Sequence, residues 1–319
     1  MSASPATTPA TGLVLGDDPV AVLEAASWAL AAMVGTMRDA LTTPLADVLA
    51  AAPERTAVLE AAGLLETTPD GPTPHPALLH GTGAARSAVE AKLSSLRQAV
   101  SAAANDPDRA QAGWAGQSDE VLLNQGRASA ATGRALATKI VPQLPGLTGL
   151  LDTPGARILD IGTGVAALAL TLAQAFPNAH VLGIDILDRV LDLARAELAT
   201  AGDAAARVSL RHLDVADLTG RETYDLIWLP APFLPEAALT EALPRLIDAL
   251  RPGGWLVAGT NPGSHDPLLQ AVARWTAVLN GGNSYDTARM AEALESSGLR
   301  EPRHFPTVPG GPVLVAARR

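Results

Sequence analysis

Two glycines and three acids carry the chemistry legible in this chain. Gly162-Thr163-Gly164 follows the apolar run Ile158-Leu159-Asp160-Ile161 and precedes a stretch rich in Ala and Leu. Glycine lets a backbone turn sharply and approach a ligand closely, and the first amides of a helix favour the polar end of that ligand. A second apolar run over 181–184 ends on Asp185, about 20 residues beyond the turn, where a ribose-binding acid stands. Strand, glycine turn, helix, strand and acid form the opening βαβ unit of a nucleotide-binding sheet.

Gly162-x-Gly164-x-x-Ala167 alone fits both NAD and S-adenosylmethionine. Three neighbouring features separate them. Asp160, inside the strand, would repel a pyrophosphate but suits the ammonium of a methionine. Asp214, at the carboxyl end of the third strand, faces the crevice where ligands of such sheets sit. A terminal hairpin over 303–317 follows the fifth strand. With these residues the segment 150–319 resembles the class I S-adenosylmethionine-dependent methyltransferases. The resemblance rests on Leu159-Asp160-Ile161-Gly162-Thr163-Gly164, Asp185, Asp214 and the turn Leu250-Arg251-Pro252-Gly253-Gly254. It implies a Rossmann-like α/β sheet of seven strands, mostly parallel with an antiparallel terminal strand. It also implies S-adenosylmethionine as cofactor, held by Asp160, Gly162, Thr163, Gly164, Asp185, Ile186, Asp214, Val215, Leu229 and Pro230. The family's third glycine is Ala166 here, a change expected to tighten the approach to the methionine part.

Methyl transfer is an in-line displacement, so the protein must mainly hold the acceptor in line with the breaking bond. A hydroxyl acceptor also benefits from a general base. Plant-type O-methyltransferases carry a His just after the fourth strand, where this chain has Pro230-Ala231-Pro232-Phe233. Either the acceptor needs no base, or His265, in the loop after the fifth strand, takes that role. The segment departs from the Asn-Pro-Pro-Tyr signature of amino methyltransferases by lacking Asn and Tyr, which disfavours nucleic-acid and protein amide substrates. Trp228 and Phe233 shape an apolar acceptor pocket or belong to the core, and Trp114, Asn124 and Arg127 are candidates to reach it from preceding helices.

The elements that position these residues follow from periodicity. Residues 1–16 read as a disordered tail. A helical pattern begins at Asp17-Asp18-Pro19 and runs to about residue 49, with further helices near 44–51 and 54–62. Two extended pieces around Pro69-Asp70-Gly71 then complete a winged-helix pattern over 17–85. Helices over 86–104, 119–129 and 130–140 form a connector or lid (86–149), and a Pro/Gly-punctuated link leads into the sheet. A winged-helix-like half before such a sheet resembles small-molecule O-methyltransferases that dimerise through it, so a homodimer is expected.

Composition narrows the partners. The formal net charge is −10 and aromatics are 3% of the 319 residues. This argues against nucleic acid, which needs clustered Lys and Arg or stacking platforms. Arg55 is the only basic residue of the third helix. Cys is absent, which removes thiolate nucleophiles and Cys-based metal sites, and no metal is expected. No unbroken apolar stretch nears the roughly 20 residues of a membrane span, and the start lacks a signal-peptide pattern. The expectation is a cytoplasmic enzyme methylating a small, largely apolar molecule at oxygen. Rival readings are a peptide or protein acceptor, and a transcription regulator that senses S-adenosylmethionine without catalysis.

Overall fold

The computed structural model describes residues 17–68, 71–75, 84–104, 113–262, 266–307 and 312–319. The first half is helical. Helix α1 (Pro19–Asp39) is capped by Asp18, whose carboxylate accepts from the Ala21 amide; α2 (Leu45–Ala50) and α3 (Pro53–Ala61) follow. Strands β1 (Leu65–Thr68) and β2 (Gly71–Pro74) pair antiparallel. Together with α4 (Ala84–Ala104) these elements bury a small core of Ala32, Met37, Leu49, Leu59, Leu65 and Leu93. Among the described residues α1 is one helix that is long and apolar enough to cross a membrane by length and composition. Its Glu24 interrupts the apolar run, and its buried residues Ala32, Thr36 and Met37 lie in its second half.

Helix α5 (Asp119–Ala135) runs without a break into a π-helical turn over Leu136–Ile140. The two helices expected over 119–140 are therefore one. Gly126 and Gly133 lie seven residues apart, about two helical turns, and let α5 press against the sheet domain. An added Cβ would come within 2.6 Å of Val165 and 2.9 Å of Thr171. The Pro/Gly-rich segment that follows is no free link. It contains α6 (Leu147–Asp152), and Leu136, Ile140, Leu144, Leu147 and Leu151 all belong to the buried core that backs the sheet.

The alternating pattern after residue 155 yields β3 (Ala156–Ile161), α7 (Ala167–Ala175), β4 (Ala179–Asp185), α8 (Asp188–Ala199), β5 (Val208–His212), β6 (Tyr224–Pro230) and α9 (Glu236–Ala249). Then come β7 (Leu250–Pro262), α10 (Pro267–Leu279), α11 (Thr287–Ser296), β8 (Arg300–Pro306) and β9 (Pro312–Arg318). The seven strands lie in the order β5-β4-β3-β6-β7-β9-β8. The first five are parallel, and every residue of β6 is buried, as expected for a central strand covered on both faces.

Two expectations change in detail. The Arg251-Pro252-Gly253-Gly254 turn lies inside β7 as a bulge: Tyr224 pairs with Leu250, but Leu226 already pairs with Trp255. Gly253 takes φ +83° there. The terminal hairpin also does not simply extend the edge. Strand β9 inserts antiparallel between β7 and β8, leaving β8 outermost.

Candidate active site

The glycine turn leaves β3 through two left-handed residues, Gly162 and Gly164, both at φ +57°. An L side chain at such a φ is strained. The Thr163 amide donates to the Ile184 carbonyl (2.9 Å), which pins the turn to β4. The Thr163 hydroxyl donates to Asp160 Oδ2 at 2.7 Å. Beneath it stands Gly183, where a Cβ would come 2.6 Å from Thr163 Oγ1, so no larger residue fits. Asp160 is only 1% exposed. Burial raises its pKa to about 7, nearby Asp185 adds to the rise, and the Thr163 bond opposes it.

Asp185 ends β4 and braces the turn from the far side. Its Oδ2 accepts from the Gly164 amide and its Oδ1 from the Leu187 amide, both at 3.0 Å. Burial raises its pKa, while these amide bonds hold the shift back. Above Gly164 the space is open, since an added Cβ would meet nothing within 4 Å. Ile186, next along, is 58% exposed and offers an apolar surface beside the acid. Asp214 is exposed and caps the turn after β5, its Oδ1 accepting from the Ala216 amide at 2.9 Å. Pro230 walls the other side, its Cγ 3.5 Å from where a Gly162 Cβ would stand. An open cradle beside a half-buried acid and an apolar surface fits a nucleoside carrying an amino-acid tail.

A short 3-10 turn, Gly113–Gly116, spans this mouth. On the β4 side, Arg189 Nη2 donates to the carbonyls of Ala115 (3.3 Å) and Gln117. On the β7 side, Gln117 Nε2 donates to Asn280 Oδ1 at 3.4 Å, and a Cβ on Gly113 would lie 3.1 Å from the Asn280 carbonyl. Trp114 sets its ring edge-on to Phe233, centroids 5.5 Å apart, just after β6. Its indole N–H is buried and has no hydrogen-bond partner among the described residues. Two buried amides hold the loop beneath. Asn283 Nδ2 donates to the carbonyls of Ala231 (2.7 Å) and Leu234 (2.8 Å), while Asn261 Nδ2 donates to those of Asn283 and Tyr285. Gly282 is required beside them, since a Cβ there would collide with the Pro232 carbonyl at 1.8 Å.

Residues 158–254 match the family described as "Methyltransferase domain". The chain carries a methyltransferase domain over these residues. Curated relatives include a release factor glutamine methyltransferase of Rhodopirellula baltica, 31% identical over 125 residues, or 39% of this chain and 41% of that one. A trans-aconitate 2-methyltransferase of Deinococcus radiodurans is 34% identical over 151 residues, 45% of this chain and 54% of that one. This chain thus spans about half the length of the curated relatives it matches. Solved structures match almost the whole chain. Human N-acetylserotonin methyltransferase in complex with SAM gives TM-score 0.63 at 16% identity, covering 93% of this chain and 94% of that one. Mitomycin 7-O-methyltransferase gives 0.63 at 18%, covering 94% and 96%. At such identities the likeness is one of fold.

Around the methyltransferase crevice several expected residues are engaged elsewhere. Asn124 donates to Ser94 in the contact between α5 and α4. Arg127 forms a two-pronged bond with Glu197 of α8 (2.9 and 2.8 Å), lowering the Glu197 pKa and tying α5 to the sheet domain. Trp228 is core, packed beside Gly259. Val215 and Leu229 are buried in the core, leaving only their backbones for a ligand. Ala166 takes φ +63° with its methyl fully buried. The family's glycine there answers to backbone conformation, so the expected tightening against the methionine part does not arise. His265 lies outside the described residues. Sequence reasoning missed Arg189, Asn261 and Asn283; the Gly281-Gly282-Asn283 cluster was a turn signal, but nothing local marks its partner.

Proposed function

We propose that this chain transfers the methyl group of S-adenosylmethionine to an oxygen of a small, largely apolar molecule. The observation that carries the reading is the Trp114–Phe233 contact across the crevice mouth, which places an aromatic wall over the space where a small acceptor would sit. When bound, the cofactor supplies an electrophilic methyl on a sulfonium. Asp185 and Ile186 would hold the ribose and the adenine, Asp214 would accept from the adenine amino group, and the Gly162–Gly164 backbone with Asp160 below it would face the amino-acid tail. Trp114 and Phe233 would hold the acceptor against the methyl, within the roughly 3–3.5 Å an in-line displacement needs. His265 takes the hydroxyl proton where the acceptor needs a base.

The N-terminal half serves as a winged-helix-like dimerisation domain. This is supported by the exposed Val20, Leu23 and Trp28 on α1. Its third helix is poorly suited to DNA, because Arg55 is bonded to Asp39 at 2.9 Å. The protein works in the cytoplasm as a homodimer.

The test is incubation with labelled S-adenosylmethionine and a panel of phenols, carboxylates, amines and a glutamine-containing peptide, with products read by mass spectrometry. A methylated phenol or carboxylate, slowed by His265→Ala without loss of S-adenosylhomocysteine binding, is the expected result. Methylation of the peptide alone would transfer the assignment to protein substrates. Tight NAD binding without S-adenosylhomocysteine binding would remove the cofactor assignment itself.

A further inference from the structure

His212 closes strand β5 beside Asp185, its register partner on β4. Both of its ring nitrogens face acceptors. Nε2 lies 3.0 Å from the Ile186 carbonyl and Nδ1 lies 3.2 Å from Asp188 Oδ1. A carbonyl and a carboxylate can only accept, and a neutral imidazole can donate from only one nitrogen. The geometry is satisfied in full by the imidazolium, which donates from both. The two acceptors bracket the loop Asp185-Ile186-Leu187-Asp188, which carries the ribose acid and the apolar surface beside it.

We infer that His212 is a positioning residue for the cofactor: protonated, it clamps the loop after β4 in the shape that holds the nucleoside, and deprotonation loosens that loop. This rests on the S-adenosylmethionine reading above. The charged groups around the ring are Asp185 on β4, Asp188 and Arg189 at the start of α8, and Arg211 and Asp214 beside it on its own stretch of chain. Of these, Asp188 touches the ring and Asp185 is its register partner. Loss of the proton leaves one acceptor, the Ile186 carbonyl or Asp188, without its donor.

Asp160 loses its proton at about 7, and its carboxylate then favours the cofactor's ammonium, so this effect strengthens binding as pH rises while the His212 effect weakens it. The informative quantity is therefore the ratio of affinities between wild type and His212→Gln, in which the Asp160 contribution cancels.

Calorimetric titration of the full chain with S-adenosylhomocysteine, from about pH 5 to about pH 8 where histidines change charge, measures it. The side chain is half exposed, so the expected loss in His212→Gln is about threefold at the acid end, vanishing at the alkaline end. Asp188→Ala, which removes one acceptor without touching the ring, is expected to show the same convergence. A ratio that stays constant with pH, or equals one throughout, overturns the clamp. Absence of S-adenosylhomocysteine binding at every pH instead overturns the cofactor reading on which it stands.

Discussion

The two halves of the crevice are built in different ways. The cofactor half, on β3, β4 and β5, is held by bonds between residues close in the chain: Thr163 to Asp160 across three positions and Gly164 to Asp185 across 21. The acceptor half, on β6 and β7, adds bonds that span much more of the sequence. Asn283 reaches Ala231 across 52 positions and Gln117 reaches Asn280 across 163. The first is a turn held within one strand–helix–strand unit, by bonds from Thr163 and Gly164 to the end of β4. The second exists only once the whole molecule has packed, so its shape is free to vary with the acceptor while the cofactor cradle stays constant.

That contrast should separate in mutants. Asp185→Ala removes the acceptor of two amides and the ribose partner, and is expected to weaken S-adenosylhomocysteine binding by about a hundredfold in calorimetry. If it binds like wild type, the turn does not depend on this acid. Phe233→Ala removes an aromatic edge contact of ~1 kcal/mol. It should raise the acceptor KM about fivefold and leave cofactor affinity unchanged; a parallel loss of cofactor affinity would mean the halves are not independent.

Asp160 gives a pH signature to the cofactor half. Its folded pKa, about 7, lies above its ordinary 3.8. A raised carboxyl stabilises the fold below the unfolded value, and that contribution is lost as pH rises through the folded one. Asp160→Asn, which keeps an acceptor for Thr163, should therefore gain in Tm relative to wild type between about pH 4 and about pH 7, with the gap constant above. A gap that does not change with pH would place the ionised carboxylate in a better-solvated setting than its burial indicates. The smallest effect is expected for Ala166→Gly. Relief of a left-handed Ala, about 1 kcal/mol, is offset by a lost buried methyl of similar worth. Because that methyl faces the core, S-adenosylhomocysteine affinity should stay within about twofold.

The same division explains what could be read from residue order alone. Gly162, Gly164, Asp160 and Asp185 were legible because their types, spacing and flanking apolar runs fix both conformation and neighbours. The strand sequence was legible because short apolar runs, 226–229 in β6 and 255–258 in β7, are flanked by Pro or Gly. Asn124 and Arg127 could not be placed, and Trp228 could not be divided between pocket and core, because a polar or aromatic residue near a site says nothing of which way its helix or strand turns it. Asn124 turned to Ser94, Arg127 to Glu197 and Trp228 to the core. Phe233 and Trp114 were each credible alone, but their meeting depended on the 113–117 segment being hung between Arg189 and Asn280, which no local pattern announces.

The place of β9 bears on how this chain is made. Strand β9 pairs with β7 on one side and β8 on the other, yet it is synthesised after both. Until residues 312–318 have left the ribosome, the row of amides and carbonyls along β7 has no partner on that side, and β8 has nothing to dock on. Such an open, apolar strand edge is a template for joining other chains. A nascent or prematurely terminated chain would thus hold a nearly complete cofactor cradle beside an adhesive border. Its yield in the cell should depend on how quickly β9 is delivered.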